Sequence, residues 1–458
     1  MVVQNGPCRT PTDWNTTRSF CRLSSKSKSS LAIQKFGGSS LGNAHALHRS
    51  CQLIVQSVSP TRKLAVVVSA MFGITNRLEQ AGHAARKGDM GTVVHIRKEV
   101  RSFHLQQAEK LFTTHDHRLG SFVRTMDQTL EQFFDPMVDR IARSRTFRKN
   151  GWDVLSSLGE RLSVPLVGGY LSTMGVDTVD VYTDNLILLD ESGTTNLLQH
   201  VESTRRLQTC LLPILESGKI PILSGYLAGG KDGPTTLGHG GSDLTSTIVA
   251  SALGAESVDL WKVEAEKDER GFMRQWSRRS EQVKWTGIRS GDPSLVPKSR
   301  VVKSLSYAEA AELAHFGRKV LHPLTMVPLL EQGKIVLNIR NTDRPTHLGT
   351  AVGPGVGGGC VLTTISLSRY RAIHPTKIVN LQLDTDPTII SLVGLGAHHS
   401  PSLFVQIQQL LQEHNIEPAV PVTHQWSRLF GTDQSLCILV QQTDVPTTLF
   451  LLHATFVG

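Results

Sequence analysis

Long hydrophobic runs are missing from this chain of 458 residues: none approaches the roughly 18 apolar positions that a bilayer-spanning helix needs, so no membrane partner is expected. Cysteine is scarce and scattered. The six residues Cys8, Cys21, Cys51, Cys210, Cys360 and Cys437 form no CxxC pair, which argues against a zinc site or disulfide framework and for reduced, mostly buried thiols of a cytoplasmic protein. The 18 histidines are dispersed without HExxH spacing, and no protein-held metal is expected. There is also no GxxxxGK[ST] loop. Acids are outnumbered, giving a net charge of +9, but the basic residues are spread out. The densest cluster, 270–284, carries only Phe272 and Trp276 as aromatics, a thin basis for stacking bases, so no nucleic-acid partner is expected. Positive charge of this kind suits a protein that handles small polyanions. Residues 1–30 hold a single acid, Asp13, and no apolar segment of a secretory signal. They fit an organelle transit peptide, while a disordered leader or a misplaced start weighs at least twice as much.

What is present begins with a short apolar strand, Leu31 to Ile33, that runs into Lys35-Phe36-Gly37-Gly38-Ser39-Ser40 and then an amphipathic helix, about 44–58. Glycines that free backbone N–H groups, a helix N-terminus and a lysine together make a phosphate cradle, although strand-to-glycine turns also occur without any ligand. The run 64–68 is Leu-Ala-Val-Val-Val, a strand buried on both faces, and it ends in a loop of small residues, 69–76. A long helical stretch, 92–148, could lid one end of the sheet. A further helix is expected to start at Ser156, then a strand at 176–181, a helix at 197–216 and a strand at 220–224. A turn at 229–233 precedes a second glycine-hydroxyl loop, Gly238-His239-Gly240-Gly241-Ser242-Asp243, which opens a helix at 244–253, and a strand at 257–261 follows. Such alternation predicts an α/β fold, a mostly parallel sheet sandwiched by helices. Residues 353–359 read as a glycine-rich linker. Beyond them, strands at 378–383, 388–393 and 435–440 and a helix at 401–414 predict a small α+β unit.

Five motifs in this order resemble the aspartate kinase family of the amino-acid-kinase fold. They are Lys-Phe-Gly-Gly-Ser-Ser (35–40), Val-Ser-Ala…Gly-Ile-Thr-Asn (68–76), Gly-Glu (159–160), Thr-Thr-Leu-Gly-His-Gly-Gly-Ser-Asp (235–243) and Phe-Gly-Arg-Lys-Val-Leu-His-Pro (316–323). The resemblance covers about 31–345 as kinase domain and, more weakly, 375–458 as an ACT-like, ferredoxin-like regulatory domain, with 346–374 a linker and partial ACT segment. It implies ATP-dependent phosphorylation of the L-aspartate side chain to 4-phospho-L-aspartate, the first step toward lysine, threonine and methionine, with Mg²⁺ on the nucleotide. By the same resemblance Lys35, Asp243 and Lys319 are catalytic. Ser69, Thr75, Glu160, His239, Gly240, Gly241 and Ser242 hold the amino acid, and Lys35, Phe36, Gly37, Gly38, Ser40, Thr286, Lys319 and Val320 hold ATP. A homodimer or higher homo-oligomer and an effector, lysine or threonine, are implied too.

Bland readings stand beside these. Glu160 could be a first-turn helix acid, Asp243 an N-terminal helix carboxylate, Lys319 a solvated lysine, and Tyr226 a packing residue. Two departures matter. His239 stands where the family has an arginine that grips the α-carboxylate, unless another cation such as Arg318 compensates. After Trp261 the family's Thr-Asp-Val…Gly…Tyr segment is replaced by Lys262-Val263-Glu264, about two dozen inserted residues to 291, and Arg289 in the tyrosine's place. A weakened, sensing homologue or a kinase for another carboxylate are the alternatives. The glycines after Val393 imitate a dinucleotide fingerprint, but about 60 further residues are too few for a dehydrogenase domain.

Overall fold

A computed structural model describes residues 30–189, 199–231, 233–238, 240–263, 286–291, 295–315, 321–354, 364–369, 388–393, 400–418 and 435–457. The first half alternates strand and helix: β1 (Ser30–Phe36), α1 (Ala44–Ser57), β2 (Arg62–Val68), α2 (Ile74–Lys87), α3 (Met90–Leu111), α4 (Asp116–Thr129), α5 (Asp135–Ser144), α6 (Lys149–Thr173), β3 (Thr178–Val181), α7 (His200–Glu216) and β4 (Ile220–Ser224). A hairpin, β5 (Leu227–Gly230) and β6 (Gly233–Thr236), leads to α8 (Gly241–Leu253) and β7 (Ser257–Lys262). The main sheet is completed by β8 (Ser304–Leu305), β9 (Val336–Asn341) and β10 (Thr350–Val352), with α9 (Tyr307–His315) and α10 (Pro323–Gln332) between β8 and β9.

Eight strands run in the order β3-β4-β2-β1-β7-β9-β10-β8, and every pairing is parallel except β9 with β10. The expected sandwiched parallel sheet is therefore present. Strand alternation divides the core. Ala32 and Phe36 of β1 with Leu64, Val66 and Val68 of β2 face the layer built by α1 to α6. Leu31 and Ile33 with Ala65 and Val67 face the layer of α7 to α10. Local chemistry sets the helix ends: the Asn43 side chain accepts from the Ala46 N–H at 2.9 Å and caps α1.

The helix expected at Ser156 starts seven residues earlier, at Lys149. Residues 151–168 are buried almost throughout, so no solvent-facing stripe marks its first turns. The stretch 92–148 is three helices, with π-helical turns at Leu130–Phe134 and a left-handed residue, Arg145, ending the last. The turn at 229–233 is the tip of the β5–β6 hairpin.

A separate antiparallel sheet, β11 (Thr364–Arg369), β12 (Thr388–Val393) and β13 (Ser435–Val440), packs with α11 (Pro401–Glu413) and α12 (Val445–Leu452). This is the small α+β unit read from the sequence; the strand expected at 378–383 and most of the glycine linker lie outside the described residues. The unit touches the main body through Ser290 Oγ and His453 Nε2, 2.8 Å apart, through Arg300, which donates to the Val457 carbonyl, and through Ser435, which donates to Glu312. No helix among the described residues is long and apolar enough to cross a membrane.

Candidate active site

In open parallel sheets, ligands sit beyond the C-terminal ends of the strands. Here β1, β2, β4 and β7 all deliver loops to that edge, and backbone hydrogen bonds lace them together. Gly37 N–H donates to the Trp261 carbonyl at 3.1 Å, Ser69 to Phe36 at 3.2 Å, Phe72 to Gly38 at 3.1 Å and Gly225 to Val68 at 2.8 Å. The approach is close enough to demand glycine at 38, where a Cβ would lie 2.8 Å from the Ala70 carbonyl oxygen. In the second loop Gly240 has φ +76°, the left-handed region, and a Cβ there would strike His322 at 2.6 Å.

A cavity of about 540 Å³ opens at this edge. Its walls bring together Lys35, Ser69, Thr75, Glu160, Gly240, Gly241, Ser242 and Asp243, eight of the residues named from sequence. Lys35 belongs to the row of Leu31 and Ile33, which turns it toward α8. There its Nζ meets Asp243 Oδ1 at 2.6 Å, both side chains buried. Asp243 also takes Lys262 Nζ on Oδ2 at 2.7 Å. Burial alone would raise the Asp243 carboxyl, but the two ammonium groups outweigh it and hold it well below the usual carboxylate range. Burial lowers the Lys35 ammonium and Lys262 adds to that, against the pull of Asp243. Asp243 does lie in the first turn of α8, so the helix-terminal reading is right as far as it goes, but it is also the hub of an ion-pair triad.

Glu160 lies in the middle of α6 rather than in a first turn, which removes the helix-dipole reading. Gly159 lets α6 press onto the loop after β2, where a Cβ would come within 2.4 Å of Ala70 Cβ. Burial pushes the Glu160 carboxyl up to about 8, against hydrogen bonds from the Ala70 backbone and the Ser242 hydroxyl and the charge of Lys35. Its Oε2 is buried with no hydrogen-bond partner among the described residues. A buried carboxylate oxygen left unpaired in a cavity wall is a place for a cationic ligand group.

Other named residues fall elsewhere. Phe36 is in the core, stacked on Trp261 with ring centroids 6.2 Å apart, and Ser40 is buried with its Oγ donating to the Trp261 carbonyl at 3.2 Å. They shape the cradle without facing the cavity. Gly37 stays beside the lysine, its would-be Cβ 3.6 Å from Lys35 Nζ. Thr286 packs its carbonyl against Gly349 and is absent from the cavity wall. Arg289 turns onto Ser299, donating to its hydroxyl at 3.0 Å and to its carbonyl. His239, Arg318, Lys319 and Val320 lie outside the described residues. Tyr226 lines the cavity at φ +72°, its ring against Gly241.

The wall also includes Lys149, Trp152, Asp153 and Glu79, which sequence reading missed, and Asn76, Thr236 and Gly238, which it quoted in motifs without giving them a role. Asp153 is buried, accepting from Thr235 and Thr236 hydroxyls at 2.7 Å each and from Lys149 Nζ at 2.5 Å. It ties β6, and with it the loop to Gly238, onto α6. The available signal was the polar series Lys149, Asp153, Ser156 and Glu160, which repeats at helical spacing.

Comparison with known proteins bears on what this geometry is for. The profile of the Amino acid kinase family matches residues 30–265, more than half of the chain. The chain belongs to that family. Within it, the chain is similar to Aspartokinase 2, chloroplastic, of Arabidopsis thaliana, 30% identical over 356 residues, covering 76% of this chain and 59% of the relative. Lysine-sensitive aspartokinase 3 of Escherichia coli is 27% identical over 395 residues, covering 85% and 75%. In fold the chain resembles the crystal structure of E. coli aspartokinase III in complex with aspartate and ADP, with TM-score 0.71 and 21% identity, over 93% of this chain and all of that one. The chain spans about three-fifths of the length of the Arabidopsis relatives it matches.

Proposed function

We propose that the protein is an ATP-dependent aspartate kinase that makes 4-phospho-L-aspartate. The observation that carries this is the pairing, in one cavity, of the Lys35–Asp243 ion pair at the end of β1 with the buried, unpaired Glu160 oxygen. Likeness to aspartokinases along three-quarters of the chain supports the substrate. L-Aspartate lies with its ammonium on Glu160, Thr75 and Ser242 beside it, and its side-chain carboxylate toward Lys35. Burial pushes the Glu160 carboxyl up to about 8, and the substrate ammonium favours its ionised form by supplying the missing partner.

One side-chain carboxylate oxygen attacks the γ-phosphorus. A carboxyl O–P bond forms, the bond to the bridging oxygen of the β-phosphate breaks, and ADP leaves with that electron pair. No general base is needed because the attacking carboxylate is already ionised. Catalysis is then positioning and charge neutralisation. The amides at Gly37 and Gly38 and the Lys35 ammonium receive the phosphates, and Lys319 is assigned there by the family motif. Mg²⁺ carried by the nucleotide substrate would offset phosphate charge; among the described residues no three His, Cys, Asp or Glu side chains converge to hold a metal.

We further assign lysine or threonine as an effector of the C-terminal unit, a homodimer or higher oligomer as the working form, and the cytoplasm as its place. Trapping the acyl phosphate with hydroxylamine, in the presence of ATP, Mg²⁺ and L-aspartate, tests the reaction. Hydroxamate should form and should vanish in Lys35→Ala; no product at millimolar substrate refutes the proposal, and product from other carboxylates but not aspartate redirects it.

A further inference from the structure

With its ammonium on Glu160 and its side-chain carboxylate toward Lys35, L-aspartate still has an α-carboxylate to be held. That group hangs on the carbon that bears the ammonium, so its oxygens fall close beside Glu160. One turn back along α6 from Glu160, about 6 Å by helix rise, is Ser156. Its hydroxyl has the phenol of Tyr226 at 3.4 Å, and Tyr226 lines the cavity whereas Ser156 does not.

The backbone holds Tyr226 there. Its φ of +72° is left-handed, unfavourable for any residue but glycine, and persists only where the surroundings fix it. The Tyr226 N–H donates to Thr245 Oγ1 at 3.0 Å, and its carbonyl accepts from the Leu237 N–H at 2.8 Å. The ring closes over the second glycine loop, where a Cβ on Gly241 would come within 2.8 Å of it. Packing accounts for the ring, and phenylalanine would pack as well. The hydroxyl has no such account. Among the described residues its one polar neighbour is Ser156 Oγ, and 3.4 Å is well beyond the roughly 2.7–2.8 Å usual between two hydroxyls. Nearby donors are committed: Lys149, Thr235 and Thr236 all donate to Asp153. A half-buried hydroxyl with one long contact has a donor to spare, and a carboxylate is the acceptor that uses it best.

We propose that the Tyr226 hydroxyl donates to the α-carboxylate of the amino-acid substrate and so selects for substrates that carry one. The proposal rests on the kinase reading above and deepens it by naming a specificity-determining residue. Glu160 on the ammonium and Tyr226 on the α-carboxylate hold the two polar groups of the α-carbon separately, which fixes which carboxylate turns to Lys35. A phenol suits the task because it is neutral: it holds the α-carboxylate without adding positive charge that would compete for the phosphates.

The test is steady-state kinetics of the full-length protein as wild type, Tyr226→Phe and Ser156→Ala, with β-alanine, which lacks the α-carboxylate, as a competing ligand. Tyr226→Phe keeps the ring, so Tm and the KM for ATP should hold. Its KM for L-aspartate should rise about tenfold, the scale of a hydrogen bond to a charged group. β-Alanine should inhibit wild type and Tyr226→Phe at the same concentration, and Ser156→Ala should leave the KM for L-aspartate within twofold. An unchanged KM for L-aspartate in Tyr226→Phe overturns the proposal. So does an equal weakening of β-alanine, which would put the hydroxyl on another part of the substrate. An equal loss in Ser156→Ala overturns it as well, making the hydroxyl a brace for α6. If wild type forms no acyl phosphate, the kinase reading fails first; turnover by wild type with an indifferent Tyr226→Phe strikes this proposal alone.

Discussion

The two ends of the cavity are built by different means. The inner end is made where strands stop: Lys35 arrives on β1 and meets Asp243, which also takes Lys262 from the neighbouring strand β7. The outer end is made of helix faces: Glu160 and Asp153 on α6 and Glu79 on α2 line it, with Lys149 paired to Asp153. On the kinase reading, phosphate goes to the strand end and an ammonium to the helix end, at positions set by two different periodicities, two residues along a strand and three to four along a helix. An amino acid that presents its ammonium to the helices and its side-chain carboxylate to the strands is oriented before any chemistry occurs.

The comparison can be broken at either end. Removing the inner charge with Lys35→Met should cost about a thousandfold in kcat, the upper range for losing one pre-placed donor to a developing anion, while aspartate binding changes far less. Activity within tenfold of wild type would place the phosphoryl group elsewhere. At the outer end, Glu160→Gln should raise the KM for aspartate about a hundredfold, the scale of a hydrogen-bonded partner to a charged group, with nucleotide affinity unchanged. A rise in the KM for ATP instead would merge the two ends into one. Gly38→Ala should weaken ATP about tenfold, because the added carbon must push the Ala70 carbonyl from 2.8 Å and open the Phe72–Gly38 hydrogen bond; titration calorimetry reads this directly.

The smallest effect is on stability and has a defined sign. The Glu160 carboxyl in the folded protein sits at about 8, above an ordinary glutamate. Between roughly pH 4.5 and 8 the native state therefore binds more protons at this site than the unfolded chain, and stability falls as pH rises through that window. Glu160→Gln removes the slope. Its Tm should match wild type near pH 5 and exceed it by a few degrees at pH 8.5, as scanning calorimetry would show. A gap that shrinks with rising pH would contradict the assignment.

Legibility in the sequence followed the same division. The glycine loops at 37–40 and 238–243 were readable because glycine, hydroxyl and strand signals are local. β2, β4, β12 and β13 were readable because continuous apolar runs bounded by turns leave few alternatives. Asp153 and Lys149 escaped because α6 is buried on nearly all sides, so its polar stripe carries no amphipathic contrast. β8 and β10 escaped because strands of two and three residues exist only through their partners. Lys262 was seen as a departure from pattern, but its sharing of Asp243 with Lys35 depends on β1 and β7 being neighbours across more than 200 residues of chain, which only the fold supplies.

The most direct test of the account is ¹³C NMR of L-aspartate labelled at C1 and C4 during turnover with ATP. The account predicts that the C4 resonance shifts and acquires coupling to phosphorus, in wild type and not in Lys35→Met. Phosphorus coupling at the α-carboxyl, or ADP release with C4 unchanged, would contradict it.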